Sequence, residues 1–287
     1  MKNYENEVMC IGSTAMDLVV QVDSFPLPDQ ISLAAWSREL CGGSSANVAV
    51  GLARLGLYTG LVSKVGRDRE GVVLLNTLIS EGVDIRFVSI TGKTSRVIVL
   101  LTQQGEKTMV ADTHGILNSE KTLPLHAFHG IQALYVGECF LSMAEKALNF
   151  ATEKGIKTFL RLKNIHLKAG FDLTGVISAA DYVLMNEKTY AVFVKDDPVI
   201  PDNLIITQGS RGCRVPTQNL NMDARPVTPV DTTGAGDAFC AAFIYAVLTK
   251  SSMKKVLHFA NTAAALSTTS YGGMDSMPTL EKIQSRL

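Results

Sequence analysis

The run Val230-Asp231-Thr232-Thr233-Gly234-Ala235-Gly236-Asp237-Ala238-Phe239 joins small residues, two glycines and carboxylates just before an apolar stretch, Ala238 to Leu248. If that stretch is a helix, its first turn presents about four unpaired backbone N–H groups, and its dipole favours negative charge there. Gly234 and Gly236 have no Cβ, so the backbone can close on an anion. Asp237 then stands beside that anion as a candidate general base. An anion cradle next to a base suits phosphoryl transfer to a hydroxyl, in which positioning and charge stabilisation do most of the catalysis. Taken alone, Gly-Ala-Gly-Asp reads more simply as a tight turn with a capping aspartate. A dinucleotide fingerprint fits worse, because Phe239 stands where a third glycine belongs. A Walker P-loop would need Gly-Lys-Ser/Thr, and no such run occurs.

Cys41-Gly42-Gly43-Ser44-Ser45-Ala46-Asn47 repeats the device early in the chain. Gly42 and Gly43 allow close backbone approach to a ligand, and Asn47 both donates and accepts, which suits sugar hydroxyls. The plainer alternative is a helix cap with a tightly packed alanine face. Asp17 follows the first strand, where open α/β sheets bind ligands beyond strand ends; a turn aspartate explains it as well. Glu138 stands near the end of a strand and reads either as a sugar contact or as a solvated turn residue. Arg161 and Lys163 follow another strand and would either clamp a phosphate or carboxylate or form a solvated basic loop with His166 and Lys168. Arg96 has the same ambiguity. His126 and His129 lack a carboxylate or cysteine at metal-ligand spacing, so structural or surface roles are expected.

These residues must be positioned by an alternating framework. Val8–Ile11, Leu61–Val65, Ala133–Val136, Thr158–Leu160, Tyr182–Met185 and Leu204–Thr207 read as short buried strands. Asn47–Leu55, Glu70–Glu81, Ser142–Lys154, Gly175–Ala180, Ala238–Leu248 and Met253–Ser270 read as helices, with a short helix closing the chain. The alternation predicts a mostly parallel sheet covered on both faces. Leu18–Val22, broken by Phe25-Pro26-Leu27-Pro28, and a hairpin of Arg96–Thr102 with Lys107–Ala111 interrupt it. They are expected to form a small β lid, from about 14–40 and 94–112, inserted in one domain spanning 1–287. The lid's exposed edge invites pairing with a second copy as a homodimer. Phe140, Met143, Leu148 and Phe150 are expected in the core.

Composition narrows the function classes. The chain has 287 residues, 46% of them apolar, enough for a large core. Lys+Arg and Asp+Glu are both 27, so nothing in the global charge points to nucleic acid or an anionic membrane as partner. No apolar run is long enough to span a bilayer, and the polar N-terminus lacks a signal-peptide pattern. Five scattered cysteines without a CxxC pair suit reduced thiols in a cytoplasmic protein.

Gly42-Gly43 through Gly56, continuing to Val65-Gly66-Arg67-Asp68-Arg69-Glu70-Gly71, resembles the first signature of the PfkB, or ribokinase-like, carbohydrate kinases, and Asp231 to Phe239 resembles the second. Two long motifs in the right order are far more specific than either alone. The resemblance implies a three-layer α/β/α ribokinase-like fold and ATP-dependent phosphorylation of a sugar or sugar-like hydroxyl. Asp237 matches the catalytic base, and Gly234, Ala235 and Gly236 the anion hole. Asp17, Gly43 and Asn47 match sugar-binding positions. Thr207, Gly209 and Gly212 match the nucleotide-binding turn, and Asn261 falls near the adenine pocket. Asp231, Thr233, Ser267, Ser270, Gly272 and Ser276 fall where many members bind a monovalent cation such as K⁺. Mg²⁺ is expected to arrive with ATP, held largely by phosphates and water.

The chain also departs from the pattern. Asn186-Glu187-Lys188-Thr189 stands where many relatives carry Asn-x-x-Glu, so Asn186 is kept as a nucleotide-side residue and Thr189 replaces the glutamate. Ala15 and Ser44 replace an asparagine and a lysine of ribokinases proper, which disfavours free ribose. Nucleosides and phosphorylated sugars remain open as acceptors, and a weakly active sugar- or nucleotide-binding regulator is the alternative from another class.

Overall fold

The computed structural model describes residues 6–112, 123–167, 172–196, 200–249 and 252–287. The chain opens with β1 (Val8–Ile11), β2 (Ala15–Val22), β3 (Ala34–Gly42), α1 (Ser44–Arg54), β4 (Thr59–Val65) and α2 (Arg69–Ser80). There follow β5 (Val88–Ile90), β6 (Ser95–Thr102), β7 (Lys107–Asp112), β8 (Ala133–Val136) and α3 (Leu141–Glu153). The middle contains β9 (Lys157–Arg161), two short helices α4 (Asn164–Leu167) and α5 (Thr174–Ser178), β10 (Tyr182–Asn186) and α6 (Glu187–Asp196). The last third holds β11 (Leu204–Thr207), β12 (Cys213–Val215), β13 (Leu220–Met222), α7 (Ala235–Thr249), α8 (Met253–Ser267) and α9 (Leu280–Gln284).

Nine strands form one sheet in the order β13-β12-β11-β10-β9-β8-β1-β4-β5. From β11 to β5 neighbouring strands run parallel, and only β12 and β13 turn back antiparallel at one edge. β1 shows why the strand sequences are continuously apolar. Val8 and Cys10 enter one core and Met9 and Ile11 the other, and all are fully buried. Helices α1, α2, α7 and α8 supply the first core; α3, α5 and α6 supply the second. The outcome is a three-layer α/β/α stack, as the alternating pattern predicts.

β2, β3, β6 and β7 make a separate four-stranded sheet in the order β3-β2-β6-β7. It leaves the main sheet after β1, at a junction where Ser63 Oγ donates to the Gly12 carbonyl (2.6 Å) and shares a 2.6 Å hydrogen bond with Thr14 Oγ1. Asp68 makes a second junction. One of its oxygens caps α2 through the Gly71 N–H (2.9 Å), and the other accepts the Thr94 N–H (2.8 Å) just before β6. Half of the first glycine-rich motif is thus structural, tying α2 to the base of the small sheet.

Several elements differ from the sequence expectation. The edge strands β12 and β13, the short β5 and helix α6 are additional, each too short or too polar to carry a clear period. Helix α8 ends at Ser267 rather than Ser270, because Thr268 and Thr269 turn their hydroxyls onto the Ala265 and Leu266 carbonyls. Phe140 is 47% exposed while Met143 and Leu148 are buried; it precedes α3 at the mouth of the strand ends instead of joining the helix face. No helix among the described residues is long and apolar enough to cross a membrane.

Helix α7 is buried on nearly all sides, which holds its first turn in place. Phe243 anchors it, stacking on Phe239 and meeting Phe159 and Tyr182 edge-on. Phe243→Ala should destabilise the protein by about 3–5 kcal/mol, read as a lowered midpoint in urea unfolding; a change below about 1 kcal/mol would contradict the anchoring role.

Candidate active site

The glycine-rich turns and one strand end converge on the Asp237 carboxylate. Gly234 adopts φ 79 at the entry to α7, and a Cβ there would lie 2.8 Å from Gly273 Cα. Gly43, at φ 94, caps α1 with a Cβ position only 2.5 Å from Thr14 Cα. Both turns therefore exclude side chains for steric as well as conformational reasons. The first turn of α7 commits the Ala235, Asp237 and Ala238 N–H groups to the Thr232 and Gly234 carbonyls. Among the described residues, no backbone carbonyl takes the Gly234 or Gly236 N–H, which leaves them for an anion.

Asp237 is only 6% exposed. Ser44 Oγ donates to its Oδ1 (2.7 Å), Asn47 Nδ2 donates to its Oδ2 (2.7 Å), and Arg161 Nη1 forms an ion pair with Oδ1. Arg161 Nη1 also donates to Ser44 Oγ at 2.9 Å. Asn47 Oδ1 remains buried without a protein partner. Ser44, read from sequence as a lost sugar contact, instead orients the carboxylate.

The stretch after β9 is not a solvated basic loop. Arg161 is enclosed, Lys163 pairs with Glu138, and His166 is buried with its Nδ1 accepting the Lys163 N–H (3.0 Å). Lys168 lies outside the described residues. Glu138 also accepts from Ser13 Oγ at 3.0 Å. Burial alone would raise the Glu138 carboxyl, but the charges of Lys163 and Arg161 outweigh it and hold the group at about 2. Arg96 is committed elsewhere, to Glu70. His126 and His129 pack edge-on against Phe87 and Phe150.

Asp17 lies on β2, in a recess between the small sheet and the 231–233 and 271–273 loops, with Trp36, Arg38 and Lys107 on the sheet side. A Cβ on Gly42 would lie 2.6 Å from Asp17 Oδ2, so the glycine makes room for the carboxylate. Lys107 Nζ reaches the Thr232 and Thr233 hydroxyls at 3.3 and 3.4 Å, linking the small sheet to the entry of α7. Burial pushes the Asp17 carboxyl up to about 7, with the charges of Asp237 and Asp231 adding and that of Lys163 opposing.

On the other side of Gly236 opens a cavity of about 540 Å³, lined by Thr207, Gly209, Gly212, Ala235, Gly236 and Asn261 among others. Asn261 Nδ2 donates to the Met222 and Asp223 carbonyls and so fixes the cavity wall. Asn186 ends β10, and its Oδ1 caps α6 through the Thr189 N–H (2.8 Å). Thr189 is buried, and Glu187 pairs with Arg211 and accepts from Gln208 Nε2 at 3.0 Å. Asp231 accepts the Thr233 and Gly272 N–H groups at 2.8 and 3.0 Å, which brings the 231–233 and 268–272 loops together. Ser267 and Ser276 are buried beside these loops, with hydroxyls on the Ala264 and Gly273 carbonyls, while Ser270 is exposed.

The description "pfkB family carbohydrate kinase" matches residues 5–280. The chain is 29% identical to a ribokinase of Bacillus subtilis (strain 168) over 98% of this chain and 99% of that one. It is 30% identical to a fructokinase of Klebsiella pneumoniae, covering 86% and 91%. A solved structure of ribokinase from Cryptococcus neoformans var. grubii serotype A, in complex with ADP, superposes with a TM-score of 0.82 at 21% identity, covering 98% of this chain and all of that one. The chain belongs to the pfkB family of carbohydrate kinases and has the ribokinase-like fold.

The raised Asp17 carboxyl has a consequence for stability. Folded Asp17 keeps its proton to about 7, whereas an unfolded aspartate releases it near pH 4. The folded state therefore binds more protons across that window, and the group's contribution to stability falls as pH rises through it. Asp17→Asn should raise the melting temperature by a few degrees at about pH 8 and change it little at about pH 4.5; equal effects at both would refute the assignment.

Proposed function

We propose that the protein is an ATP-dependent kinase that transfers the γ-phosphoryl group to a hydroxyl of a sugar or sugar-like acceptor, with Asp237 as base. The observation that carries this reading is the place of Asp237. Its carboxylate stands in the first turn of α7, where Ala235 and Gly236 line the 540 Å³ cavity and Thr233, just before the helix, lines the Asp17 recess. The recess suits a polyol, because Asp17, Asp231 and Thr233 offer polar groups and Trp36 a flat apolar wall, while Asn47, donating to Asp237, keeps its Oδ1 without a protein partner. The cavity suits a nucleotide, with Thr207, Gly209 and Gly212 toward its phosphates and Asn261 in the wall of the base pocket.

The acceptor oxygen attacks the γ-phosphorus as the bond to the β-γ bridging oxygen breaks. ADP leaves, and the hydroxyl proton passes to Asp237 and then to solvent. The Gly234 and Gly236 N–H groups oppose the charge on the transferring group, whereas that of Ala235, expected to share this role, is taken by the Thr232 carbonyl. The small sheet covers the recess as a lid and excludes water.

Among the described residues, no group of three or more His, Cys, Asp or Glu could hold a metal ion. Mg²⁺ would be held mainly through nucleotide phosphates, with Asn186 lining the adjoining space, and would neutralise phosphate charge. For a monovalent cation such as K⁺, the paired 231–233 and 268–272 loops carry Asp231, Thr233, Ser270 and Gly272, with Ser267 and Ser276 beside them. The free cysteines suit a reducing, cytoplasmic setting. The exposed strand β7, with Met109 and Val110 outward, supports a homodimer through the lid; sedimentation at micromolar concentration should give a dimer mass, and a monomer alone would exclude it.

Asp237→Asn should lower ADP release about 10²–10⁴-fold in a screen over ribose-like sugars, ketoses, nucleosides, sugar acids and phosphosugars, with the melting transition retained. Undiminished turnover in that variant would refute the mechanism. A ligand-induced thermal shift with no ADP release from the wild type would favour a binding regulator instead, a reading motivated by Thr189.

A further inference from the structure

We infer that Arg161 is a catalytic residue: its guanidinium rests on Asp237 and passes to the γ-phosphoryl group when a nucleoside triphosphate binds. The inference rests on the kinase reading above. A Cβ on Gly236 would lie 2.5 Å from Arg161 Nη2, so the guanidinium covers the glycine whose N–H is left for an anion. Nη1 is on Asp237 and on Ser44. Arg161 shares a small space with Asn186, Thr207 and Gly236, and the last two also line the nucleotide cavity. None of these four residues lines the Asp17 recess. The guanidinium therefore faces the nucleotide side of the base, and its partner is the transferring group rather than an anion on the acceptor.

Charge explains why the arginine is kept there. Among the charged groups facing it, Arg161 and Asp237 pair, and Lys163 and Glu138 pair beside them. A γ-phosphate arriving at the α7 turn adds negative charge to this enclosed set, and the planar fork of an arginine can bind it through two N–H groups. When Asp237 takes the acceptor's proton it becomes neutral. With no charge left on Asp237, nothing there draws the guanidinium back from the phosphoryl group as it transfers. Thr189, in the place of a family glutamate, leaves the nucleotide side without that carboxylate, and a guanidinium compensates phosphate charge directly. The same contact withholds the base until triphosphate draws the arginine away.

The test is calorimetric titration of ADP and of a non-hydrolysable ATP analogue, each with Mg²⁺, into wild type, Arg161→Met, Arg161→Lys and Asp237→Asn. Arg161→Met should weaken the triphosphate analogue about tenfold or more while leaving ADP within about twofold. Arg161→Lys, which keeps the charge and guards against misfolding of the methionine variant, should fall between. Asp237→Asn should act in the opposite direction and strengthen the analogue relative to ADP, because it releases the guanidinium. An Arg161→Met or Arg161→Lys protein that melts cooperatively and keeps the wild-type analogue-to-ADP ratio would overturn this inference alone. Equal losses for both nucleotides would do the same, by showing a merely structural role. A wild type that binds neither nucleotide would overturn the kinase reading and this inference with it.

Discussion

The Asp237 carboxylate, buried at the start of α7 and held by Ser44, Asn47 and Arg161, is the interaction on which the rest of the site depends. A charge taken out of water is costly unless its partners are in place, and the loss of one partner leaves the others exposed to that cost. Ser44 and Asn47 come from the first turn of α1, directly after β3, and Arg161 from the end of β9. The site therefore forms only when the small-sheet junction, the helix layer and the main sheet have all assembled. The arrangement is better understood as a device for fixing geometry than as a source of stability.

The doubly covered parallel sheet decides where that geometry can exist. Ser13 and Asp17 follow β1, Glu138 follows β8, Arg161 and Asn186 end β9 and β10, and Thr207 ends β11. All lie toward the carboxyl ends of parallel strands, the edge at which open α/β sheets bind ligands. Both faces of the sheet are buried against helices, so that edge and the small sheet above it are the surfaces left for chemistry. The antiparallel β12 and β13 extend one side of it and, through the Met222 and Asp223 carbonyls held by Asn261, shape the larger cavity.

Two recesses with different character meet at the base. The recess under the small sheet sets charged groups, Asp17, Arg38, Lys107 and Asp231, among apolar side chains, with Asp17 raised toward neutrality by burial and by neighbouring carboxylates. The cavity beyond Gly236 is larger and bordered by glycine turns. Between them stand two buried ion pairs, Arg161 with Asp237 and Lys163 with Glu138, which balance each other's charge. Phosphoryl transfer moves charge across this boundary, and a balanced, preorganised set of dipoles and ions is what such a step requires.

The sequence by itself determined the parallel framework and the two glycine turns, because apolar strand runs, helix stops and Cβ-free positions are local properties. It also singled out Asp237, since a carboxylate at a helix start is visible in one short window, and Asp17 as a carboxylate after the first strand, which the fold sets within β2. It did not leave Phe140 exposed before α3, or turn Glu187 toward Arg211, because neither choice follows from local period. Above all it left Ser44 and Arg161 ambiguous: one resembled a lost contact, the other a solvated loop residue. Their partner lies 193 and 76 positions away along the chain. Only folding brings a cation and a carboxylate at such separations into one water-poor space, and there each determines what the other does.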